Sequence, residues 1–263
     1  MSITVAPGLQ GRTVSRPSLT ASTIDAMFAL LSTHFTGADR ATFEVDLAEK
    51  NLVILLEDDD GVLRGFSTLV TYDTTAAGES VRVVYSGDTI VDRAWWGSSA
   101  LARTWIQTVQ SLRPQDGREL YWLLLTSGFR TYRFLPVFFR EFYPCCDAAE
   151  AVRRADRTEV RQLADAIARE RFGSRYDADT GIVRFDRPYV LAGDLLDVPD
   201  GKTADPHVRY FLERNPGFVA GDELVCLTRI DADNLTPAGR RMARRCVVEA
   251  GSLVMEAGSL DPA

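Results

Sequence analysis

The spacing of apolar residues predicts that the first ninety residues form two helices followed by three antiparallel strands. After a polar leader that runs to Ser15, Ser22 begins a stretch with apolar residues at helical intervals. The pair Asp60-Gly61 separates two apolar runs and predicts a hairpin between them. The elements predicted here are helices from Ser22 onward and over residues 42–50, and strands over residues 51–57, 62–72 and 80–91.

The pattern changes its period after residue 91 and predicts a helix followed by a buried strand. Ser98 and Ser99 precede a helix whose apolar residues form one stripe and which ends before Pro114. The run Leu120–Thr126 is apolar throughout and bounded by glycines, which is typical of a central strand. Because a helix connects them, the strands over 80–91 and 120–126 should be parallel.

The second half of the chain gives weaker signals. Residues 130–143 carry aromatic residues at helical spacing, although Pro136 interrupts them. We expect a helix capped by Asp156, a loop-rich region over 173–203 with one or two short strands, a strand over 221–230, and a last helix from Pro237 to about Ala250. We therefore expect a core over residues 16–144 and an extension over residues 145–263. The extension should complete the sheet of the core and cover one side of a binding cleft.

Composition argues against several classes of function. The 263 residues are 46% hydrophobic and 25% charged, with a net charge of −7, so a broad basic surface for nucleic acid or an anionic membrane is disfavoured. No apolar run approaches the roughly 20 residues that span a bilayer, and the first residues lack a signal-peptide pattern. We expect a soluble, cytoplasmic protein without nucleic-acid or membrane partners. Arginine supplies nearly all positive charge, since Lys50 and Lys202 are the only lysines, and we attribute this bias to genome composition.

Cysteine and histidine are too sparse for most metal or disulfide chemistry. The four cysteines lack the Cys-x-x-Cys spacing of redox and zinc sites, and the adjacent pair Cys145-Cys146 is best explained as buried free thiols. His34 and His207 are the only histidines, so a multi-histidine metal site is excluded and no metal is expected. No Gly-x-Ser-x-Gly motif is present, which disfavours a Ser-His-Asp triad.

The stretch from Val91 to Leu101 joins a predicted strand to a predicted helix and is rich in small residues. It is similar to the V-x-P-x-x-R-G-x-G-x-G motif of the GNAT superfamily of acyl-CoA N-acyltransferases. Val91 and Gly97 match that motif, and Ser99 stands where the family prefers glycine. Trp96 replaces the family's Arg or Gln.

The order of the predicted elements supports the same resemblance over residues 20–144 and, more weakly, over 221–230. It implies an α/β protein with a mixed sheet of the GNAT type, as a divergent member with an extended C-terminal region. It also implies acyl-CoA or acetyl-CoA as the co-substrate.

The resemblance implies that the start of the third helix binds the pyrophosphate of CoA. In the family these contacts come largely from backbone N–H groups at the helix N-terminus, where unpaired donors and the helix dipole attract an anion. Small residues and serines are equally typical of an ordinary helix cap. The arginines are equally typical of a helix start that is exposed to solvent. The residues assigned to CoA binding on this basis are Val91, Trp96, Gly97, Ser98, Ser99, Ala100, Ser127, Arg130 and Arg133.

N-acyl transfer requires a base for the amine and an acid for the leaving thiolate. The resemblance places the base on the fourth strand, where Tyr85 and Asp88 are the candidates. Gly87 between them predicts a bulge that reverses the alternation and lets both side chains reach the cleft. Asp88 is the better candidate, although an aspartate after Ser86-Gly87 is also typical of a strand end.

The family's usual acid, a tyrosine on the fourth helix, is missing. When Phe142-Tyr143 is aligned with the family's Gly-Phe pair, Phe138 falls at the tyrosine position, and phenylalanine cannot donate a proton. Tyr132 and Tyr143 are the candidate substitutes, although a tyrosine in an aromatic-rich helix is commonly a core residue.

The expected function is transfer of an acyl group from acyl-CoA, or from an acyl-carrier protein, to an amine of a small molecule, in specialised metabolism. Two alternatives stay open: a diverged chemistry on the same fold, and a non-catalytic binding or assembly protein. A cofactor-sized cleft beside Ser98 favours the enzyme, whereas Trp96 filling that cleft favours the binding protein. The sequence alone determines neither the acceptor nor the acyl chain.

Overall fold

The computed structural model describes residues 8–146, residues 154–244 and two short strands near the C-terminus. The strands are β1 (Leu9–Ser15), β2 (Phe35–Thr36), β3 (Leu52–Asp58), β4 (Leu63–Ala76), β5 (Glu79–Val91), β6 (Leu120–Thr126), β7 (Tyr176–Asp177), β8 (Ile182–Val183), β9 (Val190–Leu191), β10 (Glu223–Arg229), β11 (Val248–Glu249) and β12 (Ser252–Leu253). The helices are α1 (Ala21–His34), α2 (Arg40–Ala48), α3 (Ala100–Ser111), α4 (Phe129–Tyr132), α5 (Phe134–Phe138), α6 (Arg154–Phe172), α7 (Pro206–Arg214) and α8 (Pro237–Ala243).

Eight of these strands form one mixed sheet in the order β1-β3-β4-β5-β6-β10-β8-β7. Neighbours are antiparallel from β1 through β5, whereas β5 and β6 are parallel and β10 returns antiparallel to β6. The expected mixed α/β fold class and the parallel pairing of Leu120–Thr126 are thus confirmed. The late strand, β10, lies beside β6 and completes the sheet from the C-terminal half.

Helices cover both faces of the sheet. On the first face, α1 and α2 pack over β3 and β4, and α6 packs over β5, β6 and β10. On the second face, α3, α4, α5, α7 and α8 surround Trp122 and its neighbours on β6. Both faces of β6 are therefore buried, which accounts for its continuous apolar sequence.

The N-terminal leader is partly a strand, contrary to expectation. β1 pairs with β3 along the sheet edge, and its mostly exposed, polar side chains hide the strand from a hydrophobic pattern. The helix caps also differ: Thr20, not Ser22, caps α1, and Asp39 caps α2. These caps lie outside the apolar stripe, so the spacing of apolar residues does not determine them.

The hairpin between β4 and β5 is longer than the sequence pattern predicts. The segment 73–79, expected to be a turn, continues the two strands up to a two-residue turn at Ala77-Gly78. Both turn residues have positive φ values, 51° and 86°. Two residues with positive φ are what a tight hairpin of this length requires.

The predicted helix over 130–143 is wrong, because the segment forms two short helices and then an extended chain. α5 contains Pro136 and ends at Phe138. Beyond it Phe139 forms a bridge with Leu235, and Tyr143 forms one with Leu227. Long-range backbone pairing therefore replaces the helix that the aromatic spacing favours.

The C-terminal half also departs from expectation at its helix ends. α6 begins at Arg154, so Asp156 is not its cap. α7 was not expected, and α8 ends at Ala243. Ala250, the predicted helix end, lies outside the described residues. Within the described ranges, no helix is long and apolar enough to cross a membrane.

Candidate functional site

The parallel strands β5 and β6 part at their C-terminal ends. Their backbone pairing ends at Ser86 and Leu124, although β5 continues to Val91 and β6 to Thr126. In a parallel pair with a helical connection, the space beyond the carboxyl ends of the strands is where ligands bind. Ser127 follows β6 at this gap and lines the cleft that opens there.

A β-bulge turns Asp88 toward this cleft, as Gly87 predicts. Ser86 pairs with Leu69 and Thr89 pairs with Ser67, so Gly87 and Asp88 together face Thr68. The extra residue reverses the alternation of side chains along the strand. Tyr85 packs with α6 and Ile90 packs with α1 and α2, on the same face of the sheet. Asp88, two residues before Ile90, points to that face.

The cleft has a volume of about 200 Å³ and is lined by three carboxylates. Asp88 comes from β5, Glu223 from the start of β10 and Asp46 from α2. Asp88 and Glu223 are both partly buried. Among the described residues, neither of their carboxylates has a hydrogen bond or an ion pair.

Burial without a partner favours the protonated form of both acids. Loss of hydration, reinforced by the charge of Asp46 and offset in part by Lys50, raises the pKa of Asp88 to about 7. Burial and the neighbouring charges of Asp88 and Asp46 raise the pKa of Glu223 to about 8. Near neutral pH, one group can therefore accept a proton while the other still holds one.

Tyr85, the second base candidate, lies beside Asp88 but is held in its protonated form. Its ring packs edge-on against Phe172, and the cations of Lys50 and Arg171 lie 5.4 Å and 5.3 Å from its centre. Burial raises the pKa of the Tyr85 hydroxyl well above its ordinary value. This environment suits a hydrogen-bond donor better than a base.

The start of α3 is open to solvent. No atom lies within 4 Å of the position that a Cβ would take on Gly97. Ser98 and Ser99 are exposed, and Ser99, at the N-cap, uses its side chain for no capping hydrogen bond. The Ala100 N–H donates to Ser98 Oγ at 3.2 Å. The residues present therefore fit an anionic group such as a pyrophosphate at this helix end.

Val91 and Trp96 form the wall between α3 and α1. The carbonyl oxygen of Val91 accepts hydrogen bonds from the Trp96 indole at 2.8 Å and from His34 Nε2 at 3.0 Å. Trp96 is 44% exposed and does not line the cleft that contains Asp88.

Residues 185–197, which we call the strap, cross the gap between the ends of β5 and β6. The strap pairs with β2 through β9, and Leu191 lies 3.4 Å from the Cβ position of Gly128, just after β6. Farther along, Asp194 forms an ion pair with Arg93, just after β5. Phe185, Arg187, Pro188 and Tyr189 of the strap line the cleft that contains Asp88.

Both arginines assigned to phosphate binding have partners within the protein. The Arg130 guanidinium lies over the rings of Trp96 and Phe129 and donates to the carbonyl oxygen of Leu195 at 2.8 Å. Arg133 forms an ion pair with Asp205 at 2.9 Å. Arg130 thus fastens the strap to α4 instead of standing free at the cleft.

The two tyrosines proposed as acids lie away from the three carboxylates. Tyr132 is fully buried on the second face, and its hydroxyl donates to the carbonyl oxygen of Pro144 at 2.8 Å. Burial raises its pKa. Tyr143 lines a different cavity of about 370 Å³ beside Tyr121 and Leu227. The structure brings neither tyrosine together with Asp88.

Two residues that line the cleft and one that lies beneath it were missed in the sequence. Asp46, Lys50 and Glu223 lie far apart along the chain, and no spacing connects them with Asp88. One signal was present: Lys50 is one of two lysines in an arginine-rich chain. Within the described residues, no group of three or more His, Cys, Asp or Glu is arranged to hold a metal ion.

No protein-family model matches the chain, and no curated protein matches it. Several solved structures match part of it. A GNAT family N-acetyltransferase from Escherichia coli, in complex with CoA, is 21% identical over 49% of this chain and 70% of its own, with a TM-score of 0.36. An acetyltransferase from Trypanosoma brucei is 16% identical over 48% of this chain and 88% of its own, with a TM-score of 0.35.

A probable N-acyltransferase from Enterococcus faecalis is 12% identical over 51% of this chain, with a TM-score of 0.37. The match spans about a third of that protein, 33% of its length. These structure neighbours are acetyltransferases and acyltransferases, but each TM-score is below 0.5. The likenesses therefore carry no argument about what this chain does.

Proposed function

We propose that the protein transfers an acyl group from acyl-CoA to the amine of a small molecule, with Asp88 as the general base. The observation that carries the proposal is the bulge at Gly87, which directs an unpaired carboxylate into the gap between β5 and β6. A base works best when its pKa lies near the operating pH, and the pKa of Asp88 is about 7.

Glu223 is the proposed proton donor in place of the missing tyrosine. It lines the same cleft, and its pKa of about 8 leaves it mostly protonated at neutral pH. An amine that binds as a cation first loses one proton to solvent; Asp88 accepts the second proton that the nitrogen loses as the amide forms, and Glu223 supplies one to the leaving sulfur. With Asp46 at the edge, the cleft is acidic and attracts an amine in its cationic form.

Acyl-CoA would supply the thioester carbonyl that the amine attacks. The exposed start of α3, from Gly97 to Ser99, is where its phosphates would bind. Ser127, at the end of β6, lines the path toward Asp88.

The test is to incubate the full chain with a panel of acyl-CoAs and small cationic amines and to measure thiol release and the acylated product by mass spectrometry. Asp88→Asn should lower kcat/KM by about 10²–10⁴-fold, the usual contribution of a general base. Asp60→Asn, which removes an exposed carboxylate on the β3–β4 hairpin, is the matched control. Full turnover by Asp88→Asn would exclude it as the base.

A second candidate is a binding protein for a cationic amine that consumes no acyl donor. The strap favours it, because Arg130 and Asp194 tie the strap across the route from α3 to Asp88. Calorimetry with amines alone, together with the absence of thiol release from every acyl-CoA, would decide for this candidate.

A further inference from the structure

A buried lysine lies directly beneath the bulge that presents Asp88. The Lys50 side chain has no exposed surface, and its Nζ lies 2.6 Å from Asp46 Oδ1. A Cβ built on Gly87 would lie 2.7 Å from Lys50 Cε and 3.3 Å from its Nζ. Gly87 therefore both permits the bulge and leaves the space that the ammonium group occupies.

Resting on the proposed function, we propose that Lys50 is a positioning residue whose buried ammonium, held between Asp46 and the Gly87 bulge, opposes the protonation of Asp88 and so leaves its carboxylate able to accept a proton near neutral pH. Lys50 does not line the cleft and so does not touch the substrate. It acts through Asp88, the neighbour of Gly87.

Charge explains the direction of this effect. An ammonium ion close to a carboxylate favours its ionised form, whereas Asp46 and burial favour the protonated form. A buried ammonium is costly without a partner, and Asp46, whose side chain is 41% exposed, supplies that partner while remaining hydrated. The two members of the pair thus act on Asp88 with opposite signs, and Lys50 is the one that favours its ionised form.

The residue type supports the same assignment. Among 30 lysines and arginines, only Lys50 and Lys202 are lysines. Lys202 is exposed, whereas Lys50 is enclosed between α2 and β5. A planar guanidinium is wider than an ammonium and carries five donors that must be satisfied, so the space under Gly87 selects lysine.

Other charged groups lie near Asp88, and the test must separate their effects from that of Lys50. Arg171 of α6 pairs with Glu49 at 2.7 Å and lies over Tyr85. The remaining titratable or charged groups that line the cleft are Glu223, Arg187 and Tyr189. None of these is changed in the variants below.

The experiment compares two substitutions that should move the titration of Asp88 in opposite directions. Lys50→Met removes a positive charge and should move the titration of Asp88 to higher pH. Asp46→Asn removes a negative charge and should move the titration of Asp88 to lower pH. Asp88 is followed by carboxyl ¹³C NMR, and kcat/KM by its pH profile. Each unit of movement changes kcat/KM about tenfold on the acidic limb. Lys202→Met is the control and should change neither.

Opposite shifts support the proposal, because a merely structural role would lower activity in both variants without reversing the sign. Shifts in the same direction, or no shift in the NMR titration, would overturn it. If Lys50→Met does not fold, Asp46→Asn alone decides: no movement to lower pH overturns the proposal. Opposite NMR shifts with no acyl donor consumed would leave this inference standing and reject the proposed function.

Discussion

The carboxylate of Asp88 links the chemistry of the cleft to folding stability. Its ordinary pKa of 3.8 rises to about 7 in the folded protein, so between these values the folded state binds the proton more tightly than the unfolded chain. The stabilisation is complete below pH 4 and is lost as the pH rises through 7. The difference corresponds to at most about 4 kcal/mol.

Asp88→Asn should therefore be more stable than the wild type at pH 8 while losing activity, because the neutral amide needs no ionisation. The free energy of unfolding, measured by urea denaturation from pH 4 to 8, should fall in the wild type and stay flatter in the variant. Asp73→Asn is a control of opposite sign, since the ion pair with Arg82 lowers the pKa of Asp73 to about 2 and favours the ionised form. An equal fall in the free energy of unfolding of the wild type and of Asp88→Asn would contradict the raised pKa of Asp88.

Gly87 permits a second prediction at this scale. Gly87→Ala should destabilise the fold by about 1–3 kcal/mol, because the new methyl group would overlap Lys50 Cε and Thr68 Oγ1, each 2.7 Å away. Gly97→Ala meets no atom within 4 Å and should change stability by less than about 0.5 kcal/mol. Thermal unfolding of both variants compares them directly. Equal stability of the two variants would show that the space under Gly87 is not needed.

Some of this site could be predicted from the sequence, and physical reasons limit the rest. Gly87 interrupts an apolar alternation, which is a local sign of a bulge, and Asp88 follows it directly. Asp46 and Glu223 approach Asp88 only because α2 packs on one face of the sheet and β10 lies in the sheet beside β6. No local pattern records such long-range contacts.

At the level of elements, the strap forms one wall of the cleft. It is fastened by the exposed ion pair between Arg93 and Asp194, with side chains 42% and 67% exposed, and by Arg130. Exposed pairs contribute at most about 1 kcal/mol, so this contact can open without unfolding the protein. The carboxylate of Asp194 also places a negative charge near the start of α3.

Asp194→Asn should therefore strengthen the binding of CoA severalfold, because Arg93 is released and a like charge is removed near the phosphates. Isothermal titration calorimetry with CoA measures the effect. Asp116→Asn, which breaks the exposed pair with Arg118, is the control for a general change in net charge. An equal gain in CoA affinity in both variants, or no gain in Asp194→Asn, would show that the phosphates of CoA do not bind at the start of α3.

Helices and strands could be predicted from the sequence where the local pattern of apolar residues agrees with the pairing of strands in the sheet. β3, β5 and β6 are apolar runs in the buried centre of the sheet, and the structure confirms them. β1 lies at the edge with polar side chains, so no apolar pattern marks it. The helix expected after residue 130 fails because its end pairs with residues almost a hundred positions later.

For the molecule as a whole, the sheet joins the two halves of the chain. β10 pairs with β6 over six residues and covers its outer edge. α6 and α7, also from the second half, bury residues on opposite faces. The division at residue 144 therefore runs through hydrophobic clusters on both faces of the sheet.

A fragment that ends at residue 144 should not fold, because it would expose the edge of β6 and the apolar face of β6 that α6 covers. Circular dichroism and size-exclusion chromatography of this fragment should show lost tertiary structure or aggregation. The full chain should unfold in one transition monitored by tryptophan fluorescence and circular dichroism. A folded monomeric fragment would instead make residues 145–263 a separate domain.

The strap also has a consequence for protein engineering. The acids of the cleft sit on β5, β10 and α2, whereas one wall comes from the strap, which carries none of the three. Rigid elements hold the chemistry, and a loop shapes the entrance. Under the proposed function, libraries that randomise residues 185–189 should redirect the choice of acceptor amine while Asp88 and Glu223, the proposed proton-transfer groups, stay fixed on their scaffold.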